Sequence, residues 1–427
     1  MKRYFEWALL GIIMSLYIFP LTFAVFPIAN SKMILALIGL FLAITDAIKG
    51  HKGSMWSDLF IMIVMASIIS LFGLMSMWAN GTNDSAYASY LVSMLVWLSG
   101  SYCVCRAIRH IRGIVTINLI CYYFIAVCVF QCIMALVIDF VPVVKDVVDS
   151  FIAQGQEMLT KGKRLYGLGA SLDTAGIRFA LGLMMIVYLM CDKSYRLKQS
   201  EGFILIVSYC IITIVGSMVA RTTLVGLAVS IVIFLYLKHG ALLTYRKSLF
   251  LTGTFVVILG SLLIVYLYNN NEDVYNLIRF GLEPFFNYIE GGDFATTSNQ
   301  MLKNMYVFPD NVKTWVIGDG YFENPNTHDP YYVGQSSIYG YYMGTDVGYL
   351  RLIFYFGLVG LLAFISFLGF VTHACCTKMP RYKTLFVSIL IMGFIIWLKV
   401  ATDVFFVMAL MICATNMECN NLKIESV

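Results

Sequence analysis

Residues 114–140 read IVTINLICYYFIAVCVFQCIMALVIDF, and Asp139 is the only charged side chain among these 27 residues. The hydrocarbon core of a bilayer is about 30 Å thick, and a helix of about 20 apolar residues crosses it. In lipid, a single segment satisfies its own backbone hydrogen bonds only as an α-helix. Residues 114–140 therefore predict a transmembrane helix.

The composition of the whole chain indicates the same environment. Apolar residues make up 60% and charged residues 12% of the 427 positions. A soluble globular domain carries about 25% charged residues. A soluble fold this poor in charge could not cover its surface with polar groups. The composition therefore excludes that class and predicts an all-α polytopic membrane protein.

Apolar runs of similar length recur along the chain and predict further transmembrane helices. The last apolar stretch, 384–416, is interrupted by Lys399-Val-Ala-Thr-Asp403 and predicts a hairpin of two short helices. The hairpin gives about twelve spans, and a single long helix there would give eleven. The other predicted spans are residues 7–26, 33–48, 58–78, 87–104, 114–140, 174–191, 203–219, 222–237, 249–268 and 347–371.

Lysine and arginine residues are concentrated in alternate loops, and the positive-inside rule converts this bias into an orientation. The N-terminus is expected in the cytoplasm. The first apolar run is longer than the core of a signal peptide, so we expect it to be a retained helix. The basic residues assigned to the cytoplasmic loops are Lys49, Lys52, Arg106, Arg109, Arg112, Lys193, Arg196, Lys198, Lys238, Arg246, Lys247, Lys378, Arg381 and Lys383.

Two longer segments fall on the outer face in this topology. In 141–173, apolar residues at helical spacing predict an amphipathic helix lying on the membrane surface. The segment 269–346 has 78 residues, with ten acidic and three basic side chains. It is rich in aromatic residues, which disordered segments lack, so we expect a large folded loop. The predicted segments are 1–140 with helices 1–5, 141–173, 174–268 with helices 6–9, 269–346, and 347–427 with the last spans and a cytoplasmic tail.

Charged residues at this outer face suggest chemistry on a lipid-linked diphosphate. A guanidinium group binds phosphate through two parallel hydrogen bonds and keeps its charge. A charge within a span is costly and by default marks a functional site. The alternatives are snorkelling to lipid headgroups and ion pairs with the acidic loop. The predicted phosphate ligands are Arg164, Arg178, Arg221 and Arg351.

A transferase at this face would also need a base near an acceptor hydroxyl, and a positioned base contributes about 10²–10⁴ in rate. The main candidates are Asp346, at the start of the tenth span, and His328, the only histidine in an outer segment. Asp319 and Glu323 are further candidates. Asp346 could instead cap the helix that follows it.

Aromatic side chains in the large loop could stack on sugar rings, or they could form the loop's core and an interfacial belt. The candidate sugar-binding residues are Tyr331, Tyr332, Tyr339, Tyr341 and Tyr342.

Several short motifs give the chain a resemblance to the O-antigen polymerase and O-antigen ligase superfamily, which are class C glycosyltransferases of the bacterial inner membrane. The resemblance covers residues 160–365 in its motifs and the whole chain in its topology. The motifs are Arg164-Leu-Tyr-Gly167, Asp173-Thr-Ala-Gly176, Ser217-Met-Val-Ala-Arg221-Thr-Thr, Trp315-Val-Ile-Gly318-Asp-Gly320-Tyr-Phe322, Asp346-Val-Gly-Tyr-Leu350 and Gly357-Leu-Val-Gly360.

The resemblance implies that a growing glycan is transferred from undecaprenyl diphosphate onto the next lipid-linked repeat unit at the periplasmic face. Arg164 and Arg221 match the family's arginine positions best, and the scheme needs no metal or other cofactor. Ligases typically carry histidine where this chain has Asp346, which favours a polymerase. A chain-length regulator would be a further partner, and no nucleic acid is expected. The alternatives are ligation of polysaccharide to lipid A-core and a transporter or flippase for the same lipid-linked sugar.

Overall fold

The computed structural model describes residues 2–24, 26–49, 55–153, 164–192, 197–237, 260, 262, 265–294, 296–323 and 341–425, and most of these residues are helical. The named elements in this part of the chain are α1 (Lys2–Ile18), β1 (Thr22–Phe23), β2 (Phe26–Asn30), α2 (Ser31–Ile48), α3 (Met55–Asn80), α4 (Tyr90–Arg112), α5 (Ile117–Phe140), α6 (Pro142–Phe151), α7 (Leu172–Cys191), α8 (Gln199–Val219), α9 (Thr222–Leu237), α10 (Glu272–Gly281), α11 (Glu283–Gly291), α12 (Thr297–Asn304), α13 (Val312–Ile317), α14 (Gly348–Lys378), α15 (Lys383–Ile396) and α16 (Phe405–Glu425), with single 3-10 turns at Tyr342–Gly344 and Pro380–Tyr382.

Seven of the described helices are long and apolar enough to cross a membrane. The chain is therefore an all-α polytopic membrane protein. Three shorter apolar helices accompany them, and the predicted span 249–268 lies mostly outside the described residues. The count of twelve spans remains a prediction. The seven candidate spans are Ser31–Ile48, Asp58–Asn80, Tyr90–Arg112, Ile117–Phe140, Leu172–Cys191, Gln199–Val219 and Gly348–Lys378.

The first helix is shorter than the sequence predicts. It ends at Ile18, and the prediction that it continues to residue 26 is wrong. A proline disfavours helical backbone in the residue before it, and Pro20 follows closely. The chain then forms the antiparallel β1–β2 hairpin. The Ser31 hydroxyl closes this hairpin by donating to the Leu16 carbonyl at 2.8 Å and accepting from the Leu21 amide at 2.8 Å.

The last apolar stretch contains the predicted interruption. Helix α15 ends at Ile396 and α16 begins at Phe405. Within the break, the Trp397 indole donates to the Thr402 carbonyl at 2.5 Å, and the Asp403 carboxylate accepts from the Phe405 amide at 2.8 Å. The second bond satisfies an amide at the start of α16, and the first satisfies a carbonyl within the connection. The expectation of two helices in this stretch is therefore confirmed.

The chain folds into two compact units, each assembled from two stretches of sequence. The first unit comprises residues 1–34 and 117–295, and the second comprises 35–116 and 296–427. In the first unit, α7 is buried along almost its whole length. It packs very closely against α9. A Cβ added at Gly226 of α9 would lie 2.3 Å from the Cα of Ala180 in α7. Small residues allow helices in membranes to approach this closely.

Helix α6 occupies part of the predicted surface segment in the first unit. Val148 on one of its faces is buried with Ile138, Ile152 and Tyr166. Val144 is partly buried against this cluster, whereas Val143, Val147 and Phe151 are exposed. An apolar face left uncovered by protein is typical of a helix that lies in the membrane interface. The remainder of the predicted amphipathic pattern, residues 154–163, lies outside the described residues.

In the second unit, a buried ion pair and one further hydrogen bond join three helices. The Lys378 ammonium group at the end of α14 pairs with Asp58 of α3 and donates to the Asn416 side chain of α16 at 2.7 Å. Charges in a span are stable when they pair with each other in this way.

Candidate active site

The first unit holds Arg221 in a tight connection between two helices. Helix α8 ends at Val219 and α9 begins at Thr222, so two residues form the turn. The Thr222 hydroxyl donates to the Asp173 carboxylate, and the Thr223 hydroxyl donates to the Gly216 carbonyl at 3.0 Å. Arg221 therefore projects from a backbone that is held on both sides.

Helix α10 packs closely on the end of α8 and brings aromatic and acidic groups to Arg221. A Cβ added at Gly281 would lie 3.0 Å from the Ser217 hydroxyl oxygen, so the two helices are in tight contact here. The Arg221 guanidinium lies 4.3 Å from the centre of the Phe280 ring, and its Nε donates to the Phe280 carbonyl at 3.1 Å. One of its terminal nitrogens forms an ion pair with Glu283, the first residue of α11.

Arg164 approaches the same aromatic ring. Its guanidinium carbon lies 5.2 Å from the centre of the Phe280 ring. The segment that follows Arg164 is anchored by the Leu168 amide, which donates to the Gln131 side chain at 2.8 Å. Phe280 thus contacts two guanidinium groups, and cation–π contacts of this kind hold each one in place.

The two arginines influence each other electrostatically. Burial lowers the pKa of Arg221, the Glu283 carboxylate opposes that shift, and the charge of Arg164 lowers the pKa further. The Glu283 carboxylate pairs with Arg221 beside the Phe280 ring. Two guanidinium groups at one ring concentrate positive charge, which favours binding of an anion.

Arg178 has different neighbours. It lies in α7, is buried, and donates to the carbonyl oxygens of Ile18 and Thr174. The Phe19 ring lies 5.5 Å from its guanidinium carbon. Ile18 is the last residue of α1, so Arg178 satisfies a carbonyl that the end of that helix leaves without an intrahelical partner. These contacts give Arg178 a structural role between α1 and α7, and its predicted role toward phosphate remains untested.

The glycine motif at residues 315–322 docks on a break in α14 within the second unit. The break lies at Phe356 and Gly357, where φ of Gly357 is +68°. The freed carbonyl oxygens of Phe354 and Tyr355 accept from the amides of Asp319 at 2.6 Å and Gly320 at 3.1 Å. The break therefore loses no backbone hydrogen bonding at these two positions.

The break and the motif leave no room for larger residues. A Cβ added at Gly357 would lie 2.0 Å from the Val316 carbonyl oxygen, and one added at Gly318 would lie 2.5 Å from the Tyr355 carbonyl. The close packing at Gly318 and Gly357 explains why the motif at residues 315–322 and the motif at residues 357–360 have glycine at these positions.

Arg351 lies at the end of this motif and is 5% exposed. Its terminal nitrogens pair with Glu323 at 2.8 Å and with Asp346 at 3.3 Å, and one of them also donates to the Phe322 carbonyl at 3.0 Å. The Phe322 and Tyr341 rings lie 3.7 Å and 4.6 Å from its guanidinium carbon. The terminal nitrogens of Arg351 that would bind a phosphate therefore already contact protein groups. This is the arrangement expected if the arginine forms ion pairs with the acidic loop.

Asp346 faces Arg351 across this ion pair and is largely buried. The N-cap residue of α14 is Val347, whose side chain makes no capping hydrogen bond. Asp346 lies one residue before that position, and the contact with Arg351 is the ionic interaction that holds its carboxylate. The carboxylate of Asp346 therefore lies against the Arg351 guanidinium, outside the cap position of α14.

The other predicted residues of the large loop divide into core residues and residues outside the described part. Tyr342 is 2% exposed, stacks on Tyr321 and belongs to a hydrophobic core. Its hydroxyl donates to Asp319 at 3.3 Å. The expectation that some of these aromatics form the loop's core is therefore confirmed for Tyr342. His328, Tyr331, Tyr332 and Tyr339 lie outside the described residues.

Three residues at these sites were not selected from the sequence as site residues. Phe280 and Glu283 flank a junction that Gly281 and Pro284 mark as a turn between helices. Asp84 accepts the amides of Phe322 and Glu323 at 2.8 Å and 3.0 Å, although 238 and 239 positions separate it from them. The polar cluster Asn80-Gly-Thr-Asn-Asp84 signals a turn, but nothing in its spacing indicates this partner.

The fold and these contacts define a helical membrane protein with an arginine pair in one unit and an arginine–carboxylate cluster in the other. Comparison with protein-family models, curated proteins and solved structures finds no match to this chain.

Proposed function

We propose that the protein is a glycosyltransferase of the bacterial inner membrane that polymerises O-antigen or a similar surface polysaccharide. The donor is a glycan on undecaprenyl diphosphate, and the acceptor is the next lipid-linked repeat unit. In this proposal about twelve spans cross the membrane, the N-terminus is cytoplasmic, and residues 269–346 form a periplasmic loop. A chain-length regulator is a further partner, and the reaction is independent of metal.

The observation that best supports this proposal is the pair of arginines on the Phe280 ring. Arg164 and Arg221 both contact the Phe280 ring, and the Glu283 carboxylate pairs with Arg221. A diphosphate carries more negative charge than a carboxylate and offers oxygens to both guanidinium groups. Contacts of this kind stabilise the charge that develops on the leaving diphosphate, and losing one such contact typically costs about 10²–10³ in rate.

The proposed transfer forms one bond and breaks another at the anomeric carbon of the donor. The acceptor hydroxyl oxygen attacks that carbon while the bond between it and the diphosphate oxygen breaks. The electron pair leaves on undecaprenyl diphosphate, and the hydroxyl proton passes to a general base, the role that the sequence predicts for Asp346. Arg351 is then a positioning residue that orients Asp346, since its terminal nitrogens contact both Asp346 and Glu323.

Purified protein in lipid nanodiscs tests the proposal with undecaprenyl-diphosphate-linked repeat units as the added substrate. Polymer should form without an ion gradient, and Asp346→Asn should reduce its rate by about 10²–10⁴ in protein that remains folded, since Arg351 keeps its pair with Glu323. Glu323→Gln is the matched control, because Glu323 also pairs with Arg351 but is 61% exposed. Transport of the substrate without polymer formation would contradict the proposal and indicate a flippase.

The lipopolysaccharide of a deletion strain distinguishes the two transferase activities. A core that carries one repeat unit is the result expected for a polymerase. A bare core together with accumulated lipid-linked polymer would contradict polymerisation and indicate the ligase.

A further inference from the structure

Glu283 occupies the position at Arg221 that an anionic ligand would take. Its carboxylate pairs with a terminal nitrogen of Arg221, and the two side chains are 15% and 20% exposed. The remaining contacts of Arg221 with Phe280 go to the ring face and, through Nε, to a backbone carbonyl. A phosphate oxygen that approaches the terminal nitrogen of Arg221 therefore meets the Glu283 carboxylate.

We propose that Glu283 is an internal competitor for the diphosphate site, an inference that rests on the proposed function. The carboxylate neutralises Arg221 while the site is empty, and an incoming diphosphate displaces it into water. The Phe280 contacts do not need to break, so both arginines keep their positions during the exchange. After transfer, the returning carboxylate weakens the hold on the spent carrier and promotes its release.

The geometry of α11 makes this exchange local. Glu283 is the first residue of that nine-residue helix and is followed by Pro284. No residue of α11 is buried, so its side chains are not locked into a packed core. A rotation about the Glu283 side-chain bonds is enough to move the carboxylate away from Arg221.

Thermodynamics fixes the direction of the expected effect. When a ligand must first displace an internal group, only the fraction of protein in which that group is already displaced can bind it. The apparent affinity is the intrinsic affinity multiplied by that fraction. Neutralising the competitor therefore raises the affinity for every anion at this site. A purely structural ion pair predicts the opposite, because its loss would loosen Arg221 and weaken binding.

Glu290 provides a matched control on the same helix. It pairs with Arg279 at 2.9 Å, and that pair is more exposed than the Arg221–Glu283 pair. The Glu290→Gln substitution removes the same charge from α11 but leaves the groups around Phe280 in place.

Isothermal titration of the full-length protein in detergent micelles with inorganic pyrophosphate tests the proposal at fixed ionic strength. Glu283→Gln should bind pyrophosphate about tenfold more tightly than the unaltered protein, a change of about 1.4 kcal/mol. Glu290→Gln should bind it within about twofold of the unaltered protein, since long-range effects of one exposed charge are screened.

Two further variants separate failure of this inference from failure of the site. Arg164→Gln and Arg221→Gln should each weaken pyrophosphate binding. If they do so while Glu283→Gln binds equally or more weakly, internal competition is overturned and the diphosphate site stands. If neither arginine substitution changes binding, the site and the proposed function are overturned together. If Glu283→Gln has a lower melting temperature than the unaltered protein, Glu283→Asp takes its place in the titration. Aspartate keeps the charge, but its side chain is shorter, so this variant should also bind pyrophosphate more tightly.

Discussion

The guanidinium carbon of Arg351 lies 3.7 Å from the centre of the Phe322 ring, and one of its terminal nitrogens donates to the Phe322 carbonyl oxygen at 3.0 Å. The amide of the same residue donates to Asp84 at 2.8 Å. The Arg351 cation therefore binds the carbonyl group of Phe322, and the Asp84 anion binds the amide group of the same residue. This arrangement fixes the end of the glycine motif beside Asp346.

Replacement of Arg351 should destabilise the second unit. Arg351→Gln leaves the Asp346 carboxylate buried without its counter-charge, and loss of one partner of a buried ion pair costs about 3–5 kcal/mol. The melting temperature in detergent should fall clearly. Arg279→Gln is the control, because Arg279 pairs with an exposed glutamate. Equal melting temperatures for both variants would contradict a clamping role for Arg351.

The break in α14 should not tolerate a side chain at Gly357. Gly357→Ala places a Cβ at positive φ, which costs about 1–3 kcal/mol, and steric overlap with the Val316 carbonyl adds to that cost. Gly369→Ala in the same helix is the control, since its Cβ would meet no atom within 4 Å. Thermal unfolding should show a large loss for the first variant and an unchanged or slightly raised stability for the second. A similar melting temperature for both would argue against the docking of the motif on this break.

The Phe280 ring should matter for anion binding because it holds two guanidinium groups. Phe280→Leu keeps the backbone carbonyl that Arg221 contacts but removes both cation–π contacts, each of which contributes about 0.5–2 kcal/mol. Pyrophosphate affinity should fall about tenfold in titration calorimetry. Phe286→Leu is the control, because its ring lies 4.7 Å from the Arg279 guanidinium carbon instead. An equal loss in the control would refute a specific role for Phe280.

Tyr166 should make the stability of the first unit depend on pH in the alkaline range. Burial raises the pKa of Tyr166, and its hydrogen bonds to Asp149 at 2.9 Å and 3.0 Å raise it further. A raised pKa stabilises the fold fully below the ordinary value of about 10, and that stabilisation is lost as pH rises toward the folded value.

The test compares the unaltered protein with Tyr166→Phe. The difference in stability should be about 1.5–3 kcal/mol at neutral pH, which is typical of a hydrogen bond to a charged group. It should decline from about pH 10 upward. Thermal unfolding at pH 8 to about 11 measures it, and a difference that stays constant over that range would show that Tyr166 does not titrate as described.

The sequence predicts the helices of this protein better than their ends and breaks. Apolar runs near 20 residues locate the candidate spans because lipid leaves the backbone no other partner. Pro20 ends the first helix early, although the residues after it are apolar. The break at Phe356 and Gly357 lies inside an apolar run, so hydropathy gives no sign of it.

The candidate sites were predicted in part. Asp346 and Arg351 are five positions apart, and their closeness follows from the start of a helix. Asp84 reaches Phe322 only through the packing of distant segments. Arg164 and Arg221 share a ring on a helix that lies more than 50 residues further along the chain, so local patterns could suggest their common role but not their common contact.

The contact between Arg178 and the carbonyl of Ile18 has a consequence for biogenesis. Inserting an arginine at the centre of a lone hydrophobic segment costs about 2.5–3.5 kcal/mol at the translocon. The N-terminal helix leaves the ribosome first, so its exposed carbonyl is already in the bilayer when α7 emerges. Helix α1 thus provides an acceptor for a guanidinium that follows 160 positions later. A chain that lacks the residues up to and including Ile18 would bring the Arg178 guanidinium into lipid without the Ile18 carbonyl as an acceptor. Helix α7 would then be exposed to quality-control proteases.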